Sequence, residues 1–292
     1  MNFTSHTLKI ISVFFVLFTT TYSFAQKDFQ GKATYLSKTT IDMNNFGGGN
    51  FSEEQKKQFA ERMKSMLEKT YFLVFNKTES TYKEEEKLEA PGQGGGFRMM
   101  MGNFTGGAQY KNVKENVLLQ EQEFFGKQFL IKDSLPKLDW KLSGETKQIG
   151  QYSCFKATAT KKVDAMDFRS MRRKNTEEDA KKETDSTSTK DVMDEIEIPE
   201  TIEVTAWYTM QIPVSQGPGE YWGLPGLILE VNADRTTILC SKIVLNPEEK
   251  EDIKRPEKGK EVTQEEYNDI MKKKIEEMRE MYGGRNRGGS RH

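Results

Sequence analysis

Few side chains in this sequence could act as catalysts. Its only two histidines, His6 and His292, lie near the two ends of the chain. A Ser-His-Asp or Cys-His arrangement, or a zinc ion bound by histidine, needs an imidazole inside the folded body. Lysines and carboxylates remain, because burial can shift their pKa, but no spacing singles out a pair among the 45 acidic residues. We therefore expect no catalytic residue, no metal site and no cofactor. A hydrolase that uses two carboxylates is the alternative.

The two cysteines, Cys154 and Cys240, each lie in a stretch with the composition of a strand. In an oxidising compartment such a pair can form a disulfide, provided that the two Cα atoms come within about 7 Å of each other. The alternative is two buried free thiols, since cysteine is commonly buried. The sequence leaves both outcomes open.

The first 25 residues have the pattern of a secretory signal peptide. Lys9 precedes the apolar run Ile10–Phe18, and Ser23 and Ala25 supply the small residues before a cleavage site. The apolar run is short against the roughly 20 residues that a membrane-spanning helix needs. We therefore predict an exported protein that is periplasmic, associated with the outer membrane, or extracellular.

The remaining chain has a strand-rich pattern. About ten short segments alternate between apolar and polar residues, as half-buried strands do. Only two helices are indicated, one capped by Ser52 and one by Thr263. Strands and helices do not alternate along the chain, so we do not expect a parallel sheet with helices on both faces. We predict a mainly β fold: a single antiparallel sheet system, as a curved sheet or half-barrel, with two peripheral α-helices and long disordered insertions.

The predicted domain order follows from composition. A β-rich domain over residues 26–250 is interrupted by insertions at about 84–110, which include Met99–Met101, and at 164–200, which are rich in charge. A linker and the last helix span 251–282, and an Arg/Gly tail spans 283–292. The formal net charge of -1 argues against a nucleic-acid partner.

One corner of the sequence combines aromatic residues with turn residues. A strand stops at Pro213, Gly217–Gly219 reverses the chain, and Leu224–Leu227 suits a type II turn with Gly226 at a positive φ. Ser215 has no base nearby that could activate it, so we expect this corner to shape a surface. Its candidate binding residues are Trp207, Tyr208, Tyr221, Trp222, Leu224, Pro225 and Gly226.

This corner resembles the GLPGLI family, whose signature string corresponds to Gly223–Ile228 here. Further likeness lies in the spacing of Trp140, Glu145–Lys147, Ile149–Gly150, Tyr152, Cys154 and Lys156–Ala157, and in the opening Phe29, Gly31, Ala33 and Tyr35. The resemblance implies an exported envelope protein of the kind found in Bacteroidota. Many such proteins are encoded near TonB-dependent outer-membrane receptors, and none has an established catalytic residue.

We accordingly expect a non-catalytic envelope protein that acts as an accessory or binding module of a TonB-dependent transport system. Its partner would be an outer-membrane receptor or another envelope protein. One alternative is a periplasmic carrier that holds a hydrophobic ligand or lipid in a half-barrel, and the hydrolase is another. An open apolar cavity would favour the carrier, whereas a filled interior with an exposed apolar patch would favour a protein partner.

Overall fold

The computed structural model describes residues 29–40, 52–86, 107–164, 170, 172–173, 196–197 and 199–283. The predicted signal peptide, the Met99–Met101 loop, the tail after Gly283 and most of the 164–200 insertion lie outside the described residues. Neither helix in the described part of the chain has the length and apolar character that crossing a membrane requires.

Fourteen strands and two helices form within the described residues. In chain order they are β1 (Gly31–Thr39), α1 (Glu53–Leu67), β2 (Glu68–Phe75), β3 (Glu79–Glu84), β4 (Gln109–Asn112), β5 (Val117–Phe124), β6 (Lys127–Ser134), β7 (Lys141–Ile149), β8 (Tyr152–Lys162), β9 (Arg172–Arg173), β10 (Ile196–Glu197), β11 (Thr201–Thr209), β12 (Leu227–Ala233), β13 (Thr236–Leu245), β14 (Lys260–Val262) and α2 (Gln264–Gly283).

Twelve of these strands form a single open sheet in the order β14-β6-β5-β4-β3-β2-β1-β13-β12-β11-β8-β7. This confirms the predicted mainly β fold with one sheet system and two helices. The pairing is antiparallel except at one edge, where β14 runs parallel to β6. The parallel pair arises because the segment after β13 carries the chain to the far edge of the sheet. The remaining two strands, β9 and β10, pair with each other inside the predicted 164–200 insertion.

Strand β1 lies near the middle of the sheet and joins its two halves. It pairs with β2 on one side and with β13 on the other. Its alternating residues Ala33 and Tyr35 are fully buried, as the period of two predicts. Gly31 is required here because an added Cβ would lie 2.3 Å from the ring of Phe75.

Both predicted helix starts are confirmed. Ser52 accepts a hydrogen bond from the backbone N–H of Gln55, whose side chain accepts one from the backbone of Ser52. Thr263 and Glu266 form the same reciprocal pair at the start of α2. The first turns of α2 pack through Tyr267 on β5, β6 and β14, so this helix covers one end of the sheet.

Residues 70–82 are rich in aromatic and β-branched side chains, a composition that predicts one strand, and this prediction is wrong. Two strands, β2 and β3, occupy this region and are joined by a tight turn at Asn76. The side-chain oxygen of Asn76 accepts hydrogen bonds from the backbone N–H groups of Thr78 and Glu79. This local bonding by asparagine competes with an extended strand.

Candidate functional site

The candidate site is centred on the connection between β11 and β12, which we call the strap (residues 210–226). These strands are antiparallel neighbours, and Thr209 pairs directly with Leu227. A hairpin loop of about two to five residues is enough for such a pair. The strap spans positions 210 through 226, which is 17 residues. Loops of this length in a compact domain usually have a role beyond connection.

The near end of the strap is fixed against the strands that it connects. The backbone N–H of Leu227 donates to the carbonyl of Ile212 at 2.9 Å. Gly226 lies so close to β11 that an added Cβ would be 2.1 Å from the carbonyl oxygen of Thr209. The predicted positive φ at Gly226 is wrong: the left-handed glycines of the strap are Gly219 and Gly223. Gly226 is needed for close approach of two backbones.

The far end of the strap is held by β3 and β4. The Lys111 Nζ donates to the carbonyls of Gly217 at 2.7 Å and of Tyr221 at 3.3 Å. The Ser80 hydroxyl donates to Gln216 Oε1 at 2.8 Å. Ser80 and Lys111 are direct partners across the two strands, so they hold the strap as one unit.

The opposite half of the sheet holds the same end of the strap. The carboxylate of Glu220 forms an ion pair with Lys161 of β8, and the Lys161 Nζ lies 5.9 Å from the centre of the Tyr221 ring. The indole N–H of Trp140 donates to the carbonyl of Trp222 at 2.8 Å. The indole N–H of Trp222 in turn donates to the carbonyl of Pro136 at 2.7 Å.

These contacts require a strongly curved sheet. Strands β4 and β8 are seven positions apart in the sheet order, which would separate them by about 34 Å in a flat sheet with strands about 4.8 Å apart. Tyr221 nevertheless contacts Lys111 of β4 through its carbonyl and lies beside Lys161 of β8. The sheet therefore bends around the strap, which lies on its concave face.

The strap fills this concave face with apolar side chains. Ile212, Val214, Tyr221 and Leu224 are all buried and belong to the same core cluster as the inward residues of the sheet. Two open depressions lie elsewhere on the surface, one of about 470 Å³ on α2 and one of about 460 Å³ on β11, β12 and the turn after β12. Charged and polar residues line both, together with Met281 in the first and Ile202 in the second. The interior of the curved sheet is thus occupied by the chain itself.

A polar cluster is sealed beneath the strap. Lys111 and Gln216 are fully buried, and the Gln216 Nε2 has no hydrogen-bond partner among the described residues. Burial lowers the pKa of Lys111 from 10.5 to about 7, and the charge of Glu220 opposes this shift. A buried amine costs free energy when it is charged, which is the physical cause of the shift.

The structure divides the predicted corner residues into buried and accessible groups. Trp207 and Trp222 are half-buried, and only Pro225 is exposed. Trp207 contacts Lys147, whose Nζ lies 4.3 Å above the ring. The four others are buried and present no surface to a partner: Tyr208, Tyr221, Leu224 and Gly226.

Sequence reasoning missed the residues beneath the strap. Lys111 lies in the four-residue strand β4, which was not predicted, and nothing in its spacing distinguishes it from other lysines.

Met210, Pro213 and Pro225 are exposed, and their backbones meet at the near end of the strap, where an added Cβ at Gly226 would lie 3.0 Å from the Met210 nitrogen and Leu227 bonds to Ile212. We call Met210, Pro213 and Pro225 the strap rim. The alternation along residues 201–212 predicts that Met210 faces inward with Ile202, Val204, Ala206 and Tyr208. This is wrong for Met210, because the strand ends at Thr209.

Cys154 and Cys240 follow the second of the two predicted alternatives, a pair of buried free thiols. Both are free thiols and both are buried, so the structure has no Cys154–Cys240 disulfide. Strands β11 and β12 lie between β8 and β13, which carry the two cysteines. Burial raises the pKa of Cys154 to about 11 and that of Cys240 to about 12. The thiolates are disfavoured, so neither group suits nucleophilic chemistry.

No group of three or more His, Cys, Asp or Glu residues is placed to hold a metal ion in the described part of the chain. The buried residues there include Lys111 but no Asp or Glu.

Comparisons with known proteins add a match to the strap region. A family model described as a protein of unknown function (Porph_ging) matches residues 140–230, which include β7, β8, β11, the strap and the first part of β12. No curated protein matches the chain. Two crystal structures of PNGF-II, in space groups C2 and P21, show 13% sequence identity with TM-scores of 0.45 and 0.44. The matches cover 83% and 82% of this chain. This chain spans only about a third of the length of the PNGF-II chains, 32% and 33%.

Proposed function

We propose that this is an exported, non-catalytic envelope protein that binds a protein partner as an accessory module of a TonB-dependent outer-membrane transport system. The observation that carries the proposal is the state of the strap. Its far end is bonded to both halves of the sheet, and its side chains Ile212, Val214, Tyr221 and Leu224 are buried. The exposed residues of the strap are therefore the strap rim together with Gln211 and Gly223. We therefore interpret the strap as an element that shapes a binding surface.

The chemistry of the site supports a role other than catalysis. Lys111 is sealed from solvent, and both thiols have raised pKa values. Glu220, the carboxylate of the strap, is held in an ion pair with Lys161. The hydrolase alternative needs a pair of carboxylates in a cleft, and the buried residues of the described part of the chain include no acid.

The strap rim supports a protein partner over an open carrier. The concave face that a carrier would use is filled by the strap, whereas Met210 is 50% exposed beside the exposed Pro213 and Pro225. Exposed apolar residues that lie together favour contact with another protein. We propose that the strap rim contacts a TonB-dependent receptor.

Affinity capture with a matched control tests the proposal. The mature chain, residues 26–292, serves as bait in envelope extract beside the variants Met210→Asp and Leu36→Asp. Both side chains are about half exposed, at 50% and 49%, but Leu36 lies on β1. We expect the unaltered bait and Leu36→Asp to retain a TonB-dependent receptor, and Met210→Asp to lose it. Recovery of no receptor, or equal recovery by both variants, would contradict the proposal.

A further inference from the structure

We propose that the last five residues of β13, Ser241–Leu245, form a docking edge at which an extended segment of a partner protein adds to the sheet as a further strand. The segment would carry apolar side chains at alternate positions and a carboxylate beside Lys242. The docking edge is separate from the strap rim, and it does not depend on the receptor contact proposed above.

The two neighbours of β13 pair with it over different lengths. Strand β1 pairs with β13 from Thr236 to Leu245, whereas β12 pairs with it only from Thr236 to Leu239. Beyond that point β12 pairs with β11 alone, through Ile228 and Leu227. The sheet therefore has a notch between β12 and β13, and the docking edge is one wall of this notch.

The hydrogen-bond pattern directs two backbones of the docking edge into the notch. Antiparallel strands bond through every second pair of residues. The backbone N–H of Asn246 donates to the carbonyl of Gln30 at 2.7 Å, and this pair continues the register of β1 with β13. Val244 therefore bonds to β1, whereas the N–H and C=O groups of Ile243 and Leu245 point away from it. Within the residues that the structure describes, no backbone group meets them in the notch.

The opposite wall of the notch has its backbone groups engaged. The N–H of Ile228 donates to the carbonyl of Gln216 at 3.0 Å, and the carbonyl of Ile228 accepts from the Tyr35 hydroxyl at 2.7 Å. A strand in the notch would therefore pair with β13 alone. A folded sheet would bring its own second strand against β12, so the notch suits a single extended segment.

The docking edge is accessible from both faces of the sheet. Where β12 is still paired with β13, the inward side chain of Ile238 is buried, at 8%. Val244 and Leu245 lie on opposite faces of the strand, and both are exposed, at 36% and 38%. Ser241 and Lys242 are exposed as well. An exposed strand edge with apolar side chains is a template for pairing with another chain.

The side chains of the docking edge define the chemistry of the segment that fits it. Ile243 and Leu245 share the inward face, so apolar side chains at alternate positions of the segment would pack beside them. Lys242 lies on the outer face and forms no ion pair with a described residue, so a carboxylate beside it would complete a cross-strand pair of opposite charges. In such additions the main-chain hydrogen bonds supply affinity and the side chains supply specificity.

Peptides selected from a random library on the mature chain serve as probes. We expect them to alternate apolar with polar residues and to contain Asp or Glu. Leu245→Pro removes an N–H that points into the notch and keeps the bonds to β1, whereas Leu245→Ala changes only the side chain. Leu245→Pro should bind these peptides at least about tenfold more weakly than Leu245→Ala, the scale of one lost hydrogen bond. Lys242→Glu should weaken binding similarly, and Lys162→Glu, on β8, should not.

Hydrogen exchange in the unaltered chain shows where the peptides bind. In the free protein the amides of Ile243 and Leu245 should exchange faster than that of Val244, and a selected peptide should slow the first two. Failure to select any peptide, equal binding by Leu245→Pro and Leu245→Ala, or unchanged exchange of the two amides would overturn the proposal. The exchange measurement stays decisive even where Leu245→Pro does not fold. None of these outcomes bears on receptor capture by the strap rim.

Discussion

The buried amine of Lys111 makes the stability of the fold depend on pH in a direction that can be worked out. Its pKa falls from 10.5 to about 7 on folding because burial disfavours the charged form. Between these values the unfolded chain binds the proton and the folded chain does not, so the free energy of unfolding rises as the pH rises. One pKa unit corresponds to about 1.4 kcal/mol.

The most informative interval is pH 7 to pH 9. The two cysteine thiols have raised pKa values and lower the stability above their ordinary pKa of 9.0, so measurements at higher pH would mix opposing effects. Over this interval the linkage relation gives Lys111 a contribution of about 2 kcal/mol. Urea unfolding, followed by the fluorescence of Trp140 and Trp222, should show the unaltered protein gaining this amount relative to Lys111→Met.

Lys162→Met is the matched control, because it removes an exposed lysine that no strap carbonyl contacts. Its stability should follow the same pH dependence as the unaltered protein. Parallel stability curves of Lys111→Met and the unaltered protein between pH 7 and pH 9 would contradict a lowered pKa of Lys111. A loss of stability of the unaltered protein relative to the variant as the pH rises would contradict it as well.

Three further predictions concern packing and thiols. Gly226→Ala should destabilise the protein by on the order of 3 kcal/mol because its Cβ meets a backbone carbonyl, whereas Gly144→Ala, with nothing within 4 Å, should stay within about 0.5 kcal/mol in urea unfolding. Tyr35→Phe should cost about 1–2 kcal/mol in the same assay, because its hydroxyl donates to a buried carbonyl of β12 at 2.7 Å; an unchanged midpoint would contradict this bond. Cys154 and Cys240 should resist a thiol reagent at pH 8 in the native protein and react fully in urea without reductant, and no reactive thiols in urea would indicate a disulfide.

Much of the fold follows from local patterns in the sequence. The alternation along β11 places Ile202, Val204 and Ala206 on the buried face, and all three are buried in the structure. The capping residues Ser52 and Thr263 mark the helix starts to within one residue. These features are predictable because each depends on neighbours a few positions apart along the chain.

The parts that could not be predicted depend on distant contacts. The bond from Lys111 to Gly217 joins residues 106 positions apart, and no local pattern specifies that a lysine will be buried beneath a particular turn. The short strand β4 has too few residues to show a period. The sequence predicts that Gly226 is a turn glycine. Glycine is required at this position because the backbone of β11 lies against it, and this close contact is visible only in the packed structure.

The strap lies between the two halves of a curved sheet, and nuclear Overhauser effects can test that position directly. In the mature protein in solution, protons of Tyr221 should show effects to the side chains of both Lys111 on β4 and Lys161 on β8, because its carbonyl lies 3.3 Å from one Nζ and its ring centre 5.9 Å from the other. Effects to only one of the two lysines, or to neither, would contradict this position of the strap.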